Sequence, residues 1–134
     1  MYKSIIFDIG GVMVDFDPKA YLVDRLCSAE MEEKVYDLTF GSEEWKKLDA
    51  GLISRFEGNA TMLKNAQAAG CEFEVQGVLD DWTHILRPRH RMIELVRRLK
   101  NHGYCVYYLS NIPEDVLELL TARGVLDQFD GGVA

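Results

Sequence analysis

Two short apolar runs, far apart in the chain, constrain the fold more than any other feature. Residues 3–7 (KSIIF) run into Asp8, and residues 105–109 (CVYYL) run into Ser110 and Asn111. Neither run alternates apolar with polar, so each reads as a strand buried on both faces. A helical segment follows each one. Such strands, separated in sequence and interleaved with helices, point to a parallel α/β sheet of the Rossmann-like kind.

The helices around the second run are clear. Met92, Leu95, Val96 and Leu99 recur at i, i+3, i+4 and i+7, which gives one apolar face, and Gly103 supplies a stop. Beyond the run, Pro113 opens a helix with Glu114 and Asp115 at its positive end. Val116, Leu119 and Leu120 form its inner face, and Gly124 ends it. The stretch between the two runs is too long for a single crossover helix. It reads as helices near 18–27, 29–39, 43–50, 54–69 and 75–86, with Ser28 and Ser42 as caps. The expected organisation is therefore a core from 1–17 and 88–134, with a helical cap from 18–87.

Composition limits the partners. A formal net charge of −7 disfavours nucleic acid and anionic lipid. No apolar stretch approaches the ~18 residues that a membrane span needs, and no signal peptide is visible. Cys27, Cys71 and Cys105 are odd in number and lack metal-ligand spacing. They read as reduced thiols of a cytoplasmic protein.

In open parallel sheets, ligands bind beyond the carboxyl ends of the strands. Asp8, Ser110 and Asn111 stand at those ends, and Gly10 and Gly11 follow Asp8. A carboxylate can hold Mg²⁺ or attack an electrophile. A hydroxyl and free turn amides can hold phosphate oxygens. Taken singly, each residue is also ordinary turn or capping material.

The stretches "FDIGGVMVDFD" and "VYYLSNIPED" resemble the first and second motifs of the haloacid dehalogenase superfamily. The order of parts agrees, with a helical cap between the motifs and then "RPRHRMIELVRRLKNHGYCVYYLSN". At the end, "VLDQFDGGVA" resembles the approach to the third strand. The chain is most similar to phosphatase-like members with a DxGG first motif. That resemblance implies Asp8 as nucleophile and Mg²⁺ ligand, and the Gly10 carbonyl as a second ligand. Ser110, Asn111 and Gly11 would bind phosphate. A small phosphorylated metabolite would be hydrolysed through an aspartyl-phosphate.

Two departures from the family pattern stand out. Many such phosphatases carry an acid/base aspartate where this chain has Gly10, and glycine cannot transfer a proton. Either the leaving group needs little help, or another group supplies the proton, or the site is a dehalogenase that releases halide. A non-catalytic phosphate-binding module is a further alternative. The second departure is that the family's third motif (a cation) and fourth motif (acidic) find no match before Ala134. The chain is therefore expected to be a piece of a longer protein, weakly active alone. In the family the first strand is central, so its far edge would be bare and open to self-association or to a missing segment.

Other signals are weaker. The basic cluster Arg87, Arg89, His90, Arg91, Arg97, Arg98 and Lys100 reads as a solvated helix surface. Trp45 and Trp82 read as cap core, and Asp15 and Asp17 as turn and helix-start residues. His84, His90 and His102 have no partner at metal spacing.

Overall fold

The computed structural model describes residues 3–134. In chain order its elements are β1 (Ser4–Phe7), β2 (Val14–Asp15), α1 (Pro18–Arg25), α2 (Ala29–Leu38), α3 (Glu43–Asp49), α4 (Arg55–Ala69) and α5 (Glu72–Asp81). A 3-10 turn (Trp82–Ile85) follows, then β3 (Arg87–Pro88), α6 (His90–Asn101), β4 (Cys105–Leu109), α7 (Glu114–Ala122) and β5 (Gly131–Val133). These form two compact units: the residues up to Phe16 with Leu86–Ala134, and Asp17–Ile85.

In the first unit the two apolar runs pair directly. β1 lies parallel to β4, with Ser4 opposite Cys105 and Phe7 opposite Tyr108. β5 lies parallel on the other side of β4, so the sheet order is β1-β4-β5. Partners in register share a face. Val106 is fully buried, and Phe7 and Tyr108 each meet the Phe129 ring edge-on, at 6.1 and 5.6 Å. The opposite face differs from the sequence expectation of burial on both sides. Ile6, Leu109 and Val133 are 65, 59 and 66% exposed. The described residues leave these side chains on the opposite face exposed. The outer edge of β1 has no strand partner among them.

Asp130 ties this sheet together at the entry to β5. Its amide donates to the Val106 carbonyl at 2.8 Å, and its carboxylate accepts the Val106 N–H at 2.8 Å and pairs with Lys100 of α6. Lys100, followed by that N–H, holds the carboxyl below the usual carboxylate range. A depressed folded-state value adds stability above the unfolded value, near 3.9. That stability is lost as pH falls through the folded value. Asp130→Asn should therefore lower the thermal midpoint at pH 7 and flatten its decline below about pH 4. Melts from pH 7 to 2.5 check this, and parallel wild-type and variant curves would contradict it.

The second unit is all helix, and its starts are written in the sequence. Ser28, Ser42 and Ser54 accept the N–H of Met31, Trp45 and Glu57, and Asp17 accepts that of Ala20. Two of those serines are the caps the sequence indicates, and Asp17 is a helix start as read. α5 begins earlier than the periodicity predicts, at Glu72, because Gly70 takes φ +78° and turns the chain into the next helix at once. Its expected last turn tightens into the 3-10 segment. Trp45 and Trp82 are 7 and 5% exposed and pack edge-on at 4.8 Å, as expected of core residues. The Arg55 guanidinium lies 5.4 and 5.2 Å from their ring centres. Among the described residues no helix is long and apolar enough to cross a membrane.

Candidate active site

The loop after β1 separates buried anchors from exposed chemistry. Ile9, Met13 and Val14 are at most 2% exposed, whereas Asp8, Gly10 and Gly11 are open to solvent. The Ile9 carbonyl accepts from the amides of Val12, Met13 and Val14, at 3.2, 2.9 and 3.1 Å. This closes a tight turn, and Gly11 reaches it at φ +76°, a conformation that residues with a Cβ rarely adopt. The Asp8 carboxylate accepts the Ile9 N–H at 2.7 Å, which orients it at the mouth of the turn.

Pairing of β1 with β4 brings the second set of residues alongside. Asp8 is one position past Phe7, and Ser110 is two past Tyr108, the Cα partner of Phe7. Asp8, Gly10, Leu109, Ser110, Asn111 and Ile112 line one cleft of about 470 Å³. Ser110 is buried, and its amide donates to the Val133 carbonyl at 3.0 Å. Its backbone is thus held by β5.

Of the residues singled out in the sequence, Asp8, Gly10, Ser110 and Asn111 meet in this cleft. Gly11 does not line it. Its N–H donates to the Val14 carbonyl at 2.9 Å, so that amide is engaged within the turn. Leu109 and Ile112 line the cleft without having been marked, since apolar residues beside a motif carry no chemical signal. Arg89 belongs in sequence to the basic cluster that reads as a solvated helix surface, yet it bonds to the loop after β1. That link joins residues 78 apart and leaves no local trace.

The Asp8 carboxylate and the Gly10 carbonyl are hard oxygen donors. Magnesium accepts one or two such protein ligands and completes its shell with water and phosphate oxygens. No group of three or more His, Cys, Asp or Glu side chains is placed to hold a metal among the described residues. The donor set thus fits a hard cation shared with an anionic ligand.

No family profile matches the chain. In sequence it is 31% identical over 131 residues to a sesquiterpene phosphatase of Aspergillus oryzae, an alignment covering 97% of this chain and 62% of that protein. In structure it is similar to a HAD family enzyme of Bacteroides thetaiotaomicron, solved in complex with magnesium and inorganic phosphate. The TM-score is 0.64 at 18% identity, over 98% of this chain and 68% of that one. It is also similar to L-2-haloacid dehalogenase of Xanthobacter autotrophicus with chloropropionic acid covalently bound. There the TM-score is 0.59 at 19% identity, over 100% of this chain and 57% of that one.

Proposed function

We propose, for a chain whose fold is that of the haloacid dehalogenase superfamily, a magnesium-dependent phosphohydrolase with Asp8 as its nucleophile. One observation carries this reading: Asp8, Gly10, Ser110 and Asn111 line a single cleft at the carboxyl ends of two paired parallel strands. The phosphatase similar in sequence and the fold relative solved with magnesium and phosphate support it.

In this reading Asp8 and the Gly10 carbonyl would hold the metal, which would supply charge neutralisation where a carboxylate meets a phosphoryl group. An Asp8 oxygen forms the new bond to phosphorus while the ester oxygen leaves with its electron pair. Water then attacks the aspartyl-phosphate, which frees phosphate and restores the carboxylate. Ser110 and Asn111 hold the phosphoryl oxygens that face β4. Gly10 has no group to protonate the leaving oxygen, so substrates with good leaving groups should react fastest.

Phosphate release from an aryl phosphate is the first test. It should require magnesium and stop with a chelator. A sesquiterpenyl phosphate is the next substrate to compare, given the relative's activity. The dehalogenase reading, which Gly10 leaves open and which has a dehalogenase among the fold relatives, calls for halide release from a 2-haloacid, unaffected by chelator. Stabilisation by phosphate with no turnover of either substrate would instead identify a binding module.

A further inference from the structure

Arg89 reaches the nucleophile loop at three points. Its backbone N–H donates to the Met13 carbonyl at 2.8 Å. Its Nη1 donates to the Gly11 carbonyl at 3.1 Å, and its Nε lies 3.5 Å from an Asp15 carboxylate oxygen. Other basic side chains of this stretch, Arg97 and Arg98, pair with Glu94 of their own helix. Arg89 stands at the N-cap of α6, where its carbonyl accepts the Met92 and Ile93 amides, while its donors reach the turn that follows Asp8.

Gly10 and Gly11 form the most freely rotating pair the loop could contain. Two bonds fix the peptides on either side of Gly11. The Gly11 N–H to the Val14 carbonyl fixes the 10–11 peptide, whose carbonyl belongs to Gly10. The guanidinium bond to the Gly11 carbonyl fixes the 11–12 peptide. A planar fork can serve the carbonyl and the Asp15 carboxylate together, and a lysine ammonium cannot copy that geometry.

We propose that Arg89 is a positioning residue, which locks the Gly10–Gly11 backbone so that Gly10 borders the Asp8 cleft in one fixed orientation. This rests on the phosphohydrolase reading for its catalytic consequence, but the locking itself is independent of any reaction. A merely structural arginine would affect the whole unit evenly. A positioning arginine affects the loop.

The experiment pairs amide hydrogen exchange with magnesium titration, for the wild type, Arg89→Ala and Arg89→Lys. Loss of one charge-assisted hydrogen bond should speed exchange at Gly11 by about tenfold, with amides of β4 and α6 beyond its first turn unchanged. Arg89→Lys should fall between the two. The magnesium concentration that half-shifts the Gly10 and Gly11 resonances should rise by about tenfold in Arg89→Ala. In turnover, kcat should fall more than KM rises. Unchanged Gly11 exchange in both variants overturns the proposal, and so does a uniform acceleration across β4 and α6. If the wild type neither binds magnesium nor turns over substrate, the functional reading fails, while the exchange pattern still decides the locking. Should Arg89→Ala fail to fold, Arg89→Lys keeps the backbone bond to Met13, and its Gly11 exchange alone decides.

Discussion

On the reading proposed above, Asp8→Asn should eliminate whatever turnover the wild type shows. Phosphate release from an aryl phosphate should drop to background, by up to on the order of 10⁶-fold, the scale of loss when a nucleophile is removed from an otherwise intact site. The substitution is nearly isosteric. Its amide oxygen can still accept the Ile9 N–H now held at 2.7 Å, so the turn keeps its shape. The hydroxyl of Ser110 and the cleft lining are untouched. What disappears is the anionic oxygen proposed to attack phosphorus. Asp8→Ala should be equally inactive but less stable, because it also leaves the Ile9 amide without its acceptor. Acid-quenched mass spectrometry of the wild type during turnover should find the phosphoryl adduct on Asp8. If Asp8→Asn retains more than about a tenth of wild-type kcat, the nucleophile lies elsewhere.

The second large effect concerns folding. Trp82→Ala should destabilise the protein by about 3–5 kcal/mol, as large aromatic truncations in closed cores do. Trp82 is 5% exposed and packs against Trp45 at 4.8 Å. Trp45 meets Phe40 at 4.8 Å, and Phe40 meets Tyr21 and Tyr36. These rings form a continuous path through the helical unit, so a hole at one end unsupports the next. The Arg55 guanidinium, which stacks on both indoles, loses one of its two faces, worth roughly 0.5–2 kcal/mol more. Urea unfolding followed by circular dichroism measures the change. A loss below about 1 kcal/mol would mean the unit closes around the gap, contrary to tight packing there.

Legibility in the sequence tracked how local each interaction is. The strands at Ser4 and Cys105 are readable because their apolar runs end sharply at polar residues. Helix starts at Ser28 and Ser42 are readable because a cap acts on an amide three residues away. The cleft itself is legible only through the pairing rule, which sets Asp8 beside Ser110 once both strands are parallel neighbours. Three features were not legible. The β2–β3 ribbon has two residues on each strand, too few for any periodicity. The bond from the Gly11 N–H to the Val14 carbonyl depends on a turn closed by backbone alone. Arg89 resembles its basic neighbours in every respect that sequence records, and only its partners set it apart.

That ribbon has a further consequence. Val14 is the Cα partner of Pro88, and Asp15 that of Arg87, so the chain leaves the α/β unit and returns to it at one spot. Adjacent strands lie about 5 Å apart, a gap that a two-residue turn can span. The whole helical stretch is therefore wired as a detachable cassette. It could be shortened, exchanged or removed by design without redrawing the register that sets Asp8 beside Ser110.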